Sequence, residues 1–146
     1  MHKISKFKTV DLAIEKVYEI VINIESYSEF LPWCKKIKVI SKNEETNEIF
    51  AEVWISYMSF NEVYRCSIKT VLEGEDYRII IEAIDGPFKF LYSFWDLKKI
   101  SENQTNVHFE IEFEFKSFIM NKSSSIWLDY AKNKIIAALE KKLAVA

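Results

Sequence analysis

The alternation of hydrophobic and polar residues changes its period along the chain. Residues 3–10 alternate with a period of two, which predicts a strand because successive strand side chains point to opposite faces. Beyond Asp11, apolar residues recur every three or four positions, at Ile14, Val17, Tyr18, Val21 and Ile22. This spacing predicts a helix that ends near Asn23, with the Asp11 carboxylate as its N-cap. A second short helix is predicted over residues 26–31, ended by Pro32.

The period of two returns between residues 35 and 116 and predicts six further strands. It is clearest at the end of this region, where apolar residues occupy the odd positions from Val107 to Phe115 and polar residues the even ones. Polar turns separate the strands, at residues 43–47, 73–76, 85–87 and 101–106. Such alternation is typical of antiparallel strands with one solvent-exposed face.

Helical spacing resumes in the C-terminal part of the chain, with an apolar stripe at Leu128, Ala131, Ile135, Ala138 and Leu139. This stripe predicts a long helix from about Ser123 to Leu143. The order is therefore a strand, two helices, six strands and a long helix. We expect a single α+β domain over residues 1–146, in which helices cover one face of a curved antiparallel sheet of about seven strands.

The inner face of this predicted sheet is rich in large apolar side chains, namely Tyr64, Ile79, Ile81, Trp95, Leu97, Phe109, Ile111 and Phe113. A filled core is the commoner outcome for such a face. The alternative is a gap lined by apolar atoms that binds a small hydrophobic molecule. The near absence of ionisable residues on this face disfavours an enzyme active site.

An apolar segment, Tyr57-Met58-Ser59-Phe60, lies where a polar turn between strands is expected. Two interpretations are open. The segment touches a membrane surface or gates a pocket, or it belongs to a longer strand pair that keeps its rings packed.

The composition excludes several functions. Only two glycines occur, Gly74 and Gly86, and they stand apart, so the glycine-rich loops of nucleotide-binding motifs are absent. The formal net charge is −2, and only Arg65 and Arg78 among the 20 basic residues are arginines. This balance argues against a general nucleic-acid binder, and we expect no DNA partner.

The groups that could carry catalysis or bind a metal are scattered. Cys34, Cys66 and His108 show no ligand spacing, so we expect no metal site, and the thiols are expected to be free and buried. The carboxylates of Glu110, Glu112 and Glu114 share one strand face, where we expect solvent and neighbouring lysines to balance them. Asp85 is expected to cap its own tight turn. We therefore predict no catalytic residues.

The sequence also bears on location. No run of 18 uncharged apolar residues occurs, so no membrane-spanning segment is predicted. The N-terminal residues show no signal or transit pattern, which favours a cytoplasmic protein.

Three segments carry a resemblance to a known family: Phe30-Leu31-Pro32-Trp33-Cys34, Asp85-Gly86-Pro87-Phe88 running on to Phe94-Trp95, and residues 107–115. Together they resemble the coenzyme Q-binding and ribosome association toxin proteins of the START-like superfamily, also labelled polyketide cyclase or lipid transport proteins. The likeness extends over nearly the whole chain. It implies a helix-grip fold, in agreement with the predicted order of elements.

The resemblance also implies a function, namely binding of an isoprenoid quinone such as ubiquinone in an apolar tunnel. Such a protein would be a non-enzymatic lipid chaperone that supports respiration and touches the inner membrane surface transiently. Quinone would be its ligand, and no cofactor is implied. Combining the resemblance with the predicted inner face gives these candidate ligand-binding residues: Phe30, Pro32, Trp33, Phe60, Tyr64, Asp85, Gly86, Pro87, Phe88, Leu91, Trp95, Phe109, Ile111 and Phe113.

A second branch of the same family binds the large ribosomal subunit and blocks subunit joining. Trp33 in Pro32-Trp33-Cys34 favours the quinone-binding branch, which we therefore expect. The ribosome-directed role is the alternative. An oligoketide cyclase is the third interpretation, disfavoured by the apolar inner face.

Overall fold

The computed structural model describes residues 2–30, 34–57 and 60–118, together with 134, 137 and 140–143. The predicted seven-stranded antiparallel sheet is confirmed, with the strand order β1-β7-β6-β5-β4-β3-β2. Its strands are β1 (His2–Val10), β2 (Cys34–Asn43), β3 (Glu48–Tyr57), β4 (Phe60–Glu73), β5 (Asp76–Ala83), β6 (Phe88–Ser101) and β7 (Gln104–Phe115). The helical elements between β1 and β2 are α1 (Ile14–Ile22), a 3₁₀ helix (Ile24–Ser26) and α2 (Tyr27–Phe30).

The path of the chain explains this order. Strands β2 to β6 each pair with the next strand in sequence, whereas β1 pairs with β7 at the far edge. The helical segment between β1 and β2 therefore joins the two edges of the sheet. Helix α1 packs against β5, β6 and β7, and buries Ile14, Val17 and Val21 as its three-and-four spacing predicts.

The register confirms which face of the sheet is buried. Ile68, Ile79 and Leu97 lie on this inner face and are almost completely buried. Their neighbours one position along each strand point to the opposite, outer face, since side chains alternate along a strand. Burying the inner apolar side chains stabilises the fold by about 1.5–3 kcal/mol for each large residue.

The prediction that Asp11 caps α1 is wrong. The N-cap of the helix is Ala13, which makes no side-chain capping bond. Strand β1 stays paired with β7 as far as Val10, so the chain needs Asp11 and Leu12 to turn before the helix can begin. The Asp11 carboxylate instead accepts a hydrogen bond from Nε2 of Gln104 at 3.3 Å.

Other boundaries differ from the predicted ones by a few residues. The predicted second helix starts earlier, as the 3₁₀ turn from Ile24, and the structure describes it only as far as Phe30. The turn predicted over residues 101–106 shrinks to two residues, because Ser101 pairs with Gln104. Polar side chains on the outer face do not prevent backbone pairing, and for that reason the polar stretch suggested too long a turn.

Two predictions fall partly outside the described residues. In the apolar segment 57–60, the backbones of Tyr57 and Phe60 pair, as the longer strand pair requires, and residues 58–59 lie outside the description. Most of the helix predicted from Ser123 to Leu143 also lies outside it. Its described end includes Leu143, which is buried in the main core, the cluster that also contains Ile14, Val17, Ile79 and Leu97.

Candidate functional site

Four apolar side chains form a cluster at one end of the inner face: Phe88, Leu91, Phe113 and Phe115, here called the aromatic cluster. The ring of Phe88 stacks on Phe115 with centroids 4.9 Å apart and meets Phe113 edge to face at 6.1 Å. Edge-to-face and offset contacts of this kind add to the stabilisation from burial. Tyr64, Ile111 and Ile55 pack against the cluster.

Trp95 lies in the neighbouring main core, where its ring centroid is 4.6 Å from that of Phe109. Trp95 is 3% exposed, and its indole N–H makes no well-aligned hydrogen bond with any described residue. Tyr27 is close by. Burial raises the pKa of its hydroxyl, and the indole N–H of Trp95 lowers that pKa by a smaller amount. The Tyr27 hydroxyl donates to the backbone oxygen of Val21 at 2.5 Å. A buried donor without a well-aligned acceptor is costly.

The turn between β5 and β6 sits against Tyr64. Gly86 has a φ of +98°, and a Cβ at this position would lie 2.4 Å from the Cβ of Tyr64. Only glycine allows this backbone conformation and this close approach. The backbone oxygen of Pro87 accepts a hydrogen bond from the Lys116 N–H at 2.8 Å, which ties the turn to the residue after β7.

The prediction that Asp85 caps its own turn is wrong. Its Oδ1 accepts the backbone N–H of Arg65 at 2.8 Å, and its Oδ2 accepts the guanidinium Nε of Arg65 at 2.7 Å. These bonds lower the pKa of the Asp85 carboxyl, with the backbone N–H of Arg65 as the largest cause. The carboxylate therefore joins β4 to the turn, and a partner 20 positions away gives no local signal in the sequence.

The structure brings most of the candidate ligand-binding residues together. Tyr64 joins the aromatic cluster to the main core, and packs against both. The inner-face candidates in these two groups are Tyr64, Phe88, Leu91, Trp95, Phe109, Ile111 and Phe113. The Asp85-Gly86-Pro87 turn lies beside them. Pro32 and Trp33 fall outside the described residues, as do the side chains of Phe30 and Phe60.

The cysteine thiols lie in the same interior. Both are free and buried, as predicted. Burial raises the pKa of the Cys34 thiol to about 11 and that of Cys66 to about 12. Both are therefore protonated at neutral pH, a state in which a thiol is a poor nucleophile and a poor metal ligand. Within the described ranges, no three His, Cys, Asp or Glu side chains are grouped to hold a metal ion.

The outer face carries charged pairs. Lys3 Nζ lies 3.4 Å from Glu110 and 3.5 Å from Glu112, and Lys89 lies 3.8 Å from Glu114. The prediction that lysines balance these carboxylates is confirmed. In the part of the chain that the structure describes, no helix is long and apolar enough to cross a membrane.

Three contributors to this region were not among the candidates. Phe115 lies in the aromatic cluster, Tyr27 contacts the interior beside Trp95, and Arg65 holds the turn. The alternation that placed Phe113 on the inner face also placed Phe115 there, so that signal was available. Tyr27 and Arg65 depend on contacts between elements, which periodicity does not report.

A model of the family described as polyketide cyclase / dehydrase and lipid transport matches residues 10–140. The chain is 34% identical over 129 residues to the ribosome association toxin RatA of Rickettsia prowazekii, an alignment that covers 88% of this chain and 86% of that protein. It is 27% identical over 141 residues to the mitochondrial coenzyme Q-binding protein COQ10 homolog B of Xenopus laevis, with 94% of this chain and 56% of that protein covered.

Among solved structures, a START superfamily protein from Mycobacterium smegmatis superposes with a TM-score of 0.76 at 16% sequence identity. The match covers 99% of this chain and 98% of that one. At this identity the superposition shows a shared fold and nothing about a ligand.

Proposed function

Because the chain belongs to the polyketide cyclase / dehydrase and lipid transport family, we propose that it is a non-enzymatic binding protein that associates with the ribosome. The family resemblance expected from the sequence segments is thereby confirmed. The proposed partner is the large ribosomal subunit, and the proposed effect is to hinder subunit joining. This reverses the order of the two roles expected from Trp33.

One observation carries this choice. The identity to the Rickettsia ribosome association toxin is 34% over most of both chains. The identity to the Xenopus coenzyme Q-binding protein is lower, at 27%, and the alignment covers 56% of that protein. Likeness spread along the whole chain outweighs the single residue Trp33.

The chemistry of the interior supports a binding role over catalysis. Burial raises the pKa of four ionisable groups there, namely Tyr27, Cys34, Tyr64 and Cys66. All four are therefore uncharged at neutral pH. An acid–base catalyst needs a pKa near the working pH, which none of these groups has.

Co-sedimentation tests the ribosome proposal. The purified protein is mixed with separated small and large ribosomal subunits and centrifuged through a sucrose cushion, with a run without ribosomes as the control for self-pelleting. We expect it to pellet with the large subunit and to be released as salt rises, because contacts to RNA phosphates are salt-dependent. Failure to pellet with either subunit at low salt would refute the proposal.

A second candidate function is binding of a hydrophobic ligand that carries a carbonyl group, such as an isoprenoid quinone. The observation that favours it is the Trp95 indole N–H, which is buried beside the Tyr27 hydroxyl without a well-aligned acceptor. A quinone carbonyl oxygen could accept that bond. An isoprenoid tail would gain about 0.8 kcal/mol for each CH₂ group removed from water.

The Trp95→Phe variant tests this candidate, since it keeps a ring and removes the N–H. We expect solvent extraction and mass spectrometry to find quinone on the wild-type protein, and several-fold less on the variant. The matched control is Phe94→Leu, which alters the adjacent buried ring on the outer face. Absence of quinone from the wild type, with no uptake of added ubiquinone, would contradict this function.

A further inference from the structure

Two short rows of side chains lie next to each other on the outer face of β1, β7 and β6. The strand register aligns Phe7 with His108 and Asp96 in one row, and Thr9 with Asn106 and Lys98 in the next. We call these six residues the outer grid. They are separate from the buried interior, because they point away from Val107 and Leu97 of the core.

Phe7 provides a flat apolar surface in this grid. It is 75% exposed, yet its ring is stacked on the imidazole of His108 with centroids 3.8 Å apart and planes 13° from parallel. His108 is held in turn by Ser5 Oγ, 3.0 Å from its Nε2, and by a T-shaped contact with the Phe94 ring. One face of Phe7 is therefore fixed and the other is open to a planar partner.

The grid borders an open cavity of about 430 Å³, which Lys8 and Val107 also line. This volume falls in the range of sites for small ligands. Thr9 Oγ1 donates to Oδ1 of Asn106 at 2.6 Å, so the Asn106 amide presents its N–H groups as donors. A stacking ring beside an oriented amide suits the face and the edge of a nucleobase.

The charges around the cavity favour an anionic partner. Lys98 lines it and makes no ion pair with any described residue, whereas the Lys8 ammonium lies 3.3 Å from the Glu140 carboxylate and is neutralised by it. The carboxylate of Asp96 is neutralised by Arg78, 3.1 Å away, and the Arg78 guanidinium also lies 4.4 Å from the Phe94 ring centroid. The nearest outer-face carboxylate on β7, Glu110, is paired with Lys3.

We propose that the outer grid binds an unpaired base of RNA, stacked on Phe7, with a neighbouring phosphate near Lys98. The proposal deepens the ribosome association proposed above by naming a contact surface for it, and it rests on that function for its source of RNA. A net charge of −2 argues against binding of nucleic acid over the whole surface. The proposed site covers only the six residues of the outer grid and is compatible with that charge. A lipid surface fits less well, because a polar hollow with an oriented amide would remain unfilled against it.

Fluorescence anisotropy with a labelled single-stranded oligoribonucleotide tests the proposal without ribosomes. We expect wild-type binding, about tenfold weaker binding by Phe7→Ala, and near wild-type binding by Phe7→Tyr, since stacking on one aromatic ring contributes about 1–3 kcal/mol per base. Lys98→Glu should weaken binding and flatten its salt dependence. Matched controls far from the grid are Leu72→Ala, exposed at the β4–β5 hairpin, and Lys69→Glu on β4.

Several results would overturn the proposal. The first is equal affinity of the wild type and Phe7→Ala for the oligoribonucleotide. The second is that AMP displaces the labelled oligoribonucleotide as strongly as the unlabelled one does. The third is that the protein does not bind RNA but floats with anionic vesicles, and that Phe7→Ala abolishes this flotation. Thermal unfolding of each variant shows whether it is folded. Because Phe7→Tyr keeps an aromatic ring, it distinguishes loss of stacking from loss of folding. If Phe7→Ala still co-sediments with the large subunit, RNA binding at the outer grid is refuted while ribosome association stands. If the protein binds the oligoribonucleotide but does not co-sediment with ribosomal subunits, ribosome association is refuted while RNA binding at the outer grid stands.

Discussion

Arg65 and Asp85 show at the scale of single residues how a turn is positioned. The Asp85 carboxylate accepts hydrogen bonds from the backbone N–H and the guanidinium of Arg65, so this one pair fixes the turn before β6 against β4. The Asp-Gly-Pro segment predicted a tight turn at this position, and the turn is present. The strand to which the turn is attached could not be predicted, because it depends on a residue distant in sequence.

The Arg65–Asp85 pair predicts a pH dependence of stability. The folded pKa of the Asp85 carboxyl lies below its ordinary value of 3.8, so its contribution is complete above pH 3.8 and disappears as pH falls through the folded pKa. We expect the urea midpoints of wild type and Asp85→Asn to differ at pH 6 and to converge in acid. Parallel curves down to about pH 2 would show that the pair does not contribute in this way.

Gly86 and Gly74 allow a matched comparison. Both have positive φ, but a Cβ at Gly86 would collide with Tyr64, whereas a Cβ at Gly74 would meet nothing within 4 Å. Gly74→Ala should therefore cost about 1–2 kcal/mol from backbone strain alone. Gly86→Ala should cost about 1–3 kcal/mol more from overpacking. Equal free energies of unfolding for the two variants would mean that Tyr64 moves aside freely.

At the scale of elements, the period of the hydrophobic pattern predicts whether a segment is a helix or a strand, and which face is buried, more reliably than it predicts where the element begins and ends. The alternation around Ile79 and Leu97 identified buried positions correctly, because one face of the sheet is the core. The start of α1 was misplaced, because Asp11 is a good N-cap in isolation while β1 pairing delays the helix to Ile14. Boundaries depend on pairing between strands, and a single segment does not contain that information.

Thr105 links three of these elements. It is fully buried on β7, and its hydroxyl donates to the backbone oxygen of Leu12 at 2.8 Å, between β1 and α1. Thr105→Val keeps the shape and leaves that oxygen without its donor, so we expect a loss of about 1–3 kcal/mol in the free energy of unfolding. Thr9→Val, exposed on β1, is the control and should cost much less. Similar costs by urea denaturation would contradict the linking role.

At the scale of the whole molecule, the two faces of the sheet have different chemistry. The inner face combines the aromatic cluster with partly buried tyrosines and two buried, free cysteines. The outer face carries ion pairs and the Phe7–His108 stack. Period predicted the inner set, including Trp95 and Phe113. The outer grid was not predicted, because Phe7 becomes a platform only when β1 crosses to pair with β7.

The proposed function is association with the ribosome that hinders the joining of its subunits. The most direct test is to mix purified small and large subunits at a magnesium concentration that permits joining, add the protein, and resolve the particles on a sucrose gradient. We expect the protein to lower the peak of joined ribosomes in proportion to its concentration and to co-migrate with the large subunit. An unchanged peak of joined ribosomes at saturating protein would contradict it.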